Sequence, residues 1–478
     1  MLQGEKNCIR GCEQMLFSSL TFLFCFLPAT VGVYYLVRRE LRNIVLLLAS
    51  ILFYAWGEIR YLPVIFMTIG MSYAGALCIE HFRHKRIWLT FWVLSDLSLL
   101  LYFKYTNFFL ENLSLLFQRE WTLKVVLPLG ISFYTFQALS YLIDVYRGQV
   151  KAQRNFLKIA LYIILFPQLI AGPIVKYHDI AEQIDTRQET IDHVYYGIRR
   201  FIIGLAKKVL IANTLGGVAD EIFMQPVSAV ETSIAWLGSL MRALQVYYDF
   251  SGYSDMAIGL GAIFGFKFLE NFNYPYIAKS MSEYWRRWHI SLGTWCKDYI
   301  YIPLGGSHVA TWRVYCNLFI LFFIIGLWHG ATWNFVAFGL VNAIFIMIER
   351  FFQVGKRNFS WLPQILLHLY VVFIFMINAI LANTDTLQHS WNHLLNMFAC
   401  VKHNVIMYHI LYSLDGFNLI ILCTAVFCCF PVFKNILTWG RKYWVVCFGI
   451  DAWLLFLLIL CCMQLAVSTY NPFIYFRF

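Results

Sequence analysis

Charge is what this sequence has least of. Only 13% of its 478 residues are Asp, Glu, Lys or Arg, against about a quarter in an ordinary soluble domain. With 60% hydrophobic residues and a mean hydropathy of +0.64, that shortage excludes a soluble globular fold and points to many membrane spans. At about 20 residues per span plus short loops, the length allows roughly ten to thirteen. No phosphate-binding P-loop is present, which argues against ATP-driven transport within this chain. There is no G-x-S-x-G, and "GLGAIFGF" has glycines without the strand-turn-helix context of a dinucleotide site. The 13 cysteines include no C-x-x-C pair and no Cys/His set with zinc spacing. They lie in apolar runs such as "LCTAVFCCF" and "LILCCMQL" and read as buried reduced thiols, with no metal site expected. Internal repeats and low-complexity linkers are absent as well.

The net charge of +11 fits Lys and Arg held in cytoplasmic loops beside anionic lipid better than it fits nucleic-acid binding. Residues 1–14 are polar, and the first apolar run starts at Met15 without a small-residue cleavage site. It reads as a first span, not a removable signal, with 1–14 as a dispensable extension or a misplaced start. Lipid cannot satisfy backbone polar groups, so the spans are expected to be helices. The expected fold is all-α and polytopic, with roughly 11–13 transmembrane helices plus re-entrant and interfacial ones. Apolar segments fall at 16–37, 41–57, 61–80, 87–103, 125–146, 157–175, 194–215, 232–250, 254–268, 312–329, 333–352, 364–383, 416–434 and 445–467. Tyr105–Phe117 reads as an amphipathic surface segment, and Ala382–Asn404 as a polar loop. The basic loops "RRELR", "HFRHKR" and "RGQVKAQR" follow the first, third and fifth spans. This predicts the N-terminus outside and these loops in the cytoplasm.

Four stretches carry candidate chemistry. "GLWHGATWNF" places His329 beside Trp328 and two glycines, with Asn334 close behind. Imidazole changes charge near neutral pH, and an ionisable group in a span is rarely incidental. Two readings stand: a packed histidine bonded to a neighbouring helix, or a proton acceptor for chemistry within the membrane. "SEYWRRWHISLGTWCKDYIYIPLGG" gathers Trp285, Arg286, Arg287, Trp288 and His289, then Lys297 and Asp298. Cations with aromatic rings suit an anionic, partly apolar ligand; the alternative is an interfacial belt. Cys296 is a weaker candidate nucleophile. "YYDFSGYSDMAIGLG" holds Asp249 and Asp255 in apolar sequence, either as functional carboxylates or as caps of a broken helix. "FPQLIAGPIVKYHDI" has Pro167, Gly172 and Pro173 to kink a span, with Gln168 as a candidate polar liner and His178 as a loop residue. Arg199, Arg200, Lys207 and Lys208 form two basic patches on a roughly common helical face.

"WRRWHISLGTW", "YIPLGG" and "GLWHGATWNF" together resemble the signature of membrane-bound O-acyltransferases. The likeness is strongest to the branch that includes the membrane subunit of bacterial alginate O-acetyltransferase. "LPLGISFYTFQALSYLIDVYRG", "GLAKKVLIAN", "YDFSGYSDMAIGLG", "ENFNYPYI" and the terminal "PFIYFRF" resemble it too. The resemblance implies a catalytic core over 15–350, followed by C-terminal helices over 351–478, with helices ringed around a central funnel or tunnel. It implies a catalytic role for His329 and a place at or near the tunnel for His289. Trp285, Arg286, Arg287, Trp288, Lys297, Asp298, Trp328, Asn334, Asp249, Asp255 and Gln168 are the candidates for substrate or donor binding. No cofactor is expected to be resident; an acyl thioester, acetyl-coenzyme A in the first instance, would serve as co-substrate. The expected acceptor is an extracytoplasmic polysaccharide hydroxyl, reached with a partner protein, and the expected location is a bacterial inner membrane. D-alanyl transfer to teichoic acid from a carrier-protein thioester, and solute transport without acyl transfer, are the alternatives. One stretch departs from the branch. "VVFIFMINAILANTDTLQHSW" stands where a more aromatic "WVFFR"-like sequence is expected.

Overall fold

The computed structural model describes residues 15–121, 123–227, 230–354, 364–400, 414–432, 443–468 and 470–472. The 1–14 extension and nearly all of the terminal "PFIYFRF" lie outside these. No β-strand occurs among the described residues. In chain order the helices are α1 (Leu27–Leu36), α2 (Arg42–Glu58), α3 (Leu62–His81), α4 (Lys85–Phe117), α5 (Ile131–Arg147), α6 (Phe156–Ile164), α7 (Phe166–Leu169), α8 (Tyr177–Thr186), α9 (Ile191–Ala206), α10 (Asn213–Met224), α11 (Thr232–Ile263), α12 (Met281–Arg287), α13 (Ile290–Cys296), α14 (Thr311–His329), α15 (Trp333–Phe351), α16 (Gln364–Asn383), α17 (Leu387–Asn396), α18 (Gly416–Cys428) and α19 (Trp444–Val467). Among the described residues, seven helical stretches are long and apolar enough to cross a membrane: Arg39–His81, Lys85–Phe117, Ile191–Met224, Thr311–His329, Trp333–Phe351, Gln364–Asn383 and Trp444–Val467.

Two units divide the chain. The first comprises residues 1–201 and 256–269. Phe17, Phe22, Phe26, Phe53 and Phe166 form an aromatic cluster there, with ring centroids 5.0–5.6 Å apart along Phe17–Phe22–Phe26–Phe166–Phe53. α5 is buried on nearly every face, as expected of a helix packed inside a large protein. It stops at Gly148, whose φ of +72° supplies the left-handed turn that an L side chain resists. The second unit comprises residues 202–255 and 270–478. In it, α14 and α15 pack as a close pair. A Cβ at Gly339 would come within 2.5 Å of the Phe322 carbonyl oxygen, so only glycine lets the two backbones meet there.

Several expected boundaries differ. α4 runs unbroken through Tyr105–Phe117: Thr106 Oγ1 donates to the Tyr102 carbonyl and Asn112 Nδ2 to that of Phe108, while Asn107 bonds the Val125 backbone. The expected spans 232–250 and 254–268 merge into α11. Its glycines mark close approach, not a break: a Cβ at Gly252 would lie 2.7 Å from the Gly204 carbonyl oxygen. The expected span 157–175 is interrupted at Leu165, with Pro167 in the first turn of α7. The expected loop Ala382–Asn404 contains α17, capped by Thr386 Oγ1 accepting from the His389 N–H at 3.1 Å. His178 lies on α8 and not in a loop, its Nδ1 2.8 Å from the buried Asp144 carboxylate.

Candidate active site

The second unit brings the two histidines together. His329 ends α14 and is buried, its ring against Phe338 at 5.4 Å and Phe335 at 6.4 Å. His289 is fully buried ahead of α13, at a left-handed φ of 45°. Histidine is among the few non-glycine residues enriched there, and such backbone strain clusters at functional sites. The Trp328 indole contacts both imidazoles, at 6.0 Å from His289 and 5.0 Å from His329.

Asn271 fixes the His289 tautomer. Its Oδ1 accepts from the Ser291 N–H at 3.2 Å and from Ser291 Oγ at 2.9 Å, and it lies 3.1 Å from His289 Nδ1. An oxygen receiving those donors is an acceptor, so Nδ1 carries the proton and Nε2 the lone pair. Nε2 has no hydrogen-bond partner among the described residues. The Ile290 N–H to Asn271 carbonyl bond (2.9 Å) and the Asn273 N–H to Arg287 carbonyl bond (2.9 Å) hold the loop in place.

α12 supplies the aromatic wall. Ser280 and Glu283 form the S-x-x-E start signal: the Ser280 hydroxyl accepts from the Glu283 N–H at 3.0 Å. The buried Glu349 of α15 accepts from the Met281 and Ser282 N–H groups and from Ser282 Oγ, docking this helix start onto α15. Trp285 donates its indole N–H to Asn342 Oδ1 at 3.1 Å. Trp288 packs between Phe272 (5.0 Å), Phe375 (4.9 Å) and Tyr284 (5.6 Å). A cavity of about 40 Å³ lies beside His329, walled by Val246 and Phe250 of α11, Tyr284, Trp285 and Trp288, Phe335 and Phe338 of α15, and residues of α16. A Cβ at Gly330 would overlap the Phe335 ring. Gly330→Val is therefore expected to displace that wall and destabilise the protein by about 1–3 kcal/mol, read as a lower melting temperature in detergent. An unchanged melt would mean that Phe335 moves aside freely.

The other candidates take different places. Arg287 is spent on Glu283 (2.9 Å) and the Asn273 carbonyl (3.1 Å). Arg286 and Lys297 are exposed, and Lys297 and the half-buried Asp298 lie on a π-helical turn, Lys297–Tyr301. Asn334 ties α15 to the turn before α17, donating to the Thr384 carbonyl at 2.6 Å. Gln168 belongs to the first unit and donates to the Tyr162 carbonyl at 2.5 Å. Asp249 and Asp255 are not caps of a broken helix: they pair with Lys208 and Lys207, each at 2.6 Å. The expected basic face is thereby reduced, since Lys207 and Lys208 open a second π-helical turn (Lys207–Ala212) that aims both at carboxylates. Cys296 is buried. Among the described residues, no group of His, Cys, Asp and Glu could hold a metal ion. Sequence reasoning missed Asn271, Glu349 and the Asn342–Asn378 pair, whose amides bond reciprocally at 3.0 and 3.2 Å. Only Asn271, within "ENFNYPYI", carried a visible signal.

Residues 87–387 match the model of the membrane-bound O-acyltransferase family. The chain is 42% identical, over 398 residues, to "Probable alginate O-acetylase AlgI" of Azotobacter vinelandii, covering 80% of this chain and 78% of that one. It is 32% identical to the "Peptidoglycan O-acetyltransferase" of Helicobacter pylori, covering 97% and 98%. It is 29% identical to the "Teichoic acid D-alanyltransferase" of Bacillus subtilis, covering 49% and 62%. With its buried histidine pair, aromatic cavity and array of apolar helices, the chain belongs to the membrane-bound O-acyltransferase family and is a multi-pass membrane O-acyltransferase.

Proposed function

We propose that the chain transfers an acetyl group from a cytoplasmic thioester, acetyl-coenzyme A, to hydroxyls of an extracytoplasmic polysaccharide, from a bacterial inner membrane and with an extracytoplasmic partner protein. The observation that carries this reading is His329, buried at the edge of an apolar cavity with a second imidazole beside it. The alginate and peptidoglycan names of the relatives support the polysaccharide acceptor. In the reaction, the acceptor oxygen attacks the thioester carbonyl carbon while its proton passes to neutral His329. The carbon–sulfur bond then breaks, and the thiolate recovers that proton as free thiol. A positioned base contributes typically 10²–10⁴-fold, and holding donor and acceptor in line supplies more. His289, with its lone pair on Nε2, orders the site beside Trp328. The exposed Arg286 and Lys297 are candidates to meet an anionic donor.

D-alanyl transfer is the second reading, favoured by the teichoic acid relatives. Alkaline release of the esters from the cell envelope separates the two. Deleting the gene is expected to remove envelope-bound acetate. Loss of envelope-bound D-alanine instead would install the second reading, and loss of neither would remove both.

A further inference from the structure

The walls of the His329 cavity are unequal. Val246, Phe250, Tyr284, Trp285, Trp288, Phe335, Phe338 and, from α16, Phe375 are bulky, whereas Asn378, Ala379 and Ala382 of the same helix are smaller. Asn378 and Ala379 are adjacent and Ala382 falls one turn further on, so the three share one side of the helix. A water-sized group needs about 10–15 Å³ of such space, so a cavity of about 40 Å³ is small, and a butyryl group is larger than an acetyl group by two carbons.

We infer that this cavity is the acyl subsite and that Ala379 and Ala382 set the size of acyl group accepted beside His329. The inference rests on the acyl-transfer reading above and deepens it. Its lining chemistry suits an acyl group and not a sugar. A sugar ring demands many hydrogen-bond partners, and leaving polar groups unmatched in an apolar site is costly. The polar lining is sparse: Asn378 is anchored by Asn342, and the Tyr284 hydroxyl is buried. Ala379 is 2% exposed, so a larger side chain there grows into the cavity or displaces the rings opposite.

The test uses membranes containing the full chain with its native acceptor, given radiolabelled acetyl-, propionyl- or butyryl-coenzyme A, with label counted in alkali-labile ester. One methylene too many in a fitted apolar site costs about 10–200-fold in kcat/KM. Wild type is therefore expected to prefer acetyl to butyryl by at least about tenfold. Ala379→Leu and Ala382→Leu are expected to depress acetyl transfer by about tenfold or more at unchanged membrane level and melting temperature. Phe338→Ala, on the opposite wall and only half buried, is expected to raise the butyryl-to-acetyl ratio by about tenfold. This second variant keeps the test decisive if the leucine variants fold poorly. If wild type transfers butyryl as well as acetyl, or if the well-folded leucine variants keep wild-type acetyl transfer and Phe338→Ala leaves the ratio unchanged while His329→Ala is inactive, the subsite assignment fails and the acyl-transfer reading stands. If wild type incorporates no label from any thioester, both fall together.

Discussion

His329→Ala is expected to abolish ester formation while leaving the protein inserted and at wild-type level. The imidazole lies at the end of α14, beside Trp328, Phe335 and Phe338. The backbone packing of α14 on α15 runs through Gly326 and Gly339 and does not need the ring. Alanine therefore removes the proton acceptor without removing the contact that holds the helix pair. Loss of the base alone is expected to cut the rate by about 10²–10⁴-fold. Envelope ester measured at membrane levels matched by immunoblot checks this, with melting in detergent as the control for folding. His289→Ala is the informative neighbour. Its Nδ1 is tied to Asn271 and its ring meets Phe250 at 4.7 Å, so it disturbs both site and loop and should also lower the melting temperature.

The second large effect is on stability. Lys208 and Asp249 are 3% and 1% exposed and 2.6 Å apart, and Lys208 also donates to Asn213 Oδ1 at 2.9 Å. Removing one partner strands the other charge in a low-dielectric interior, at a cost of about 3–5 kcal/mol. Asp249→Asn is therefore expected to melt far below wild type in detergent and to accumulate poorly. Replacing both, as Lys208→Met with Asp249→Leu, removes the stranded charge, and most of the lost stability is expected to return. Such pairs are often no better than well-packed apolar residues. A wild-type melt for Asp249→Asn would show that the pair is not buried as described. Equal damage in the single and double variants would show that a stranded charge is not the cause of the loss.

The parts of the fold that were legible in the sequence are those written in consecutive residues. Long apolar runs specified helices, because lipid leaves the backbone no other partner. "WRRWHISLGTW" and "GLWHGATWNF" marked the two histidines because ionisable rings are rare in apolar sequence. What was not legible depended on partners far along the chain. Two spans, 232–250 and 254–268, were expected where one helix, α11, runs through, with Gly252 closely packed on the Gly204 carbonyl between them. Lys208 looked like part of a basic face, and only its contact with Asp249, 41 positions on, shows it to be neutralised. The charge pattern along one helix cannot reveal a pair made with another. Asn378, Ala379 and Ala382 lay in a stretch marked only as a departure from the branch, and the cavity they line is visible only in the structure.

The most direct test of the central claim is a stoichiometry. Membranes containing the wild-type chain and its acceptor are given acetyl-coenzyme A, and free thiol and alkali-labile acetyl ester are measured in the same sample. The account predicts equal amounts of both, and neither with His329→Ala. Ester formation at the wild-type rate by a stably inserted His329→Ala protein would contradict it.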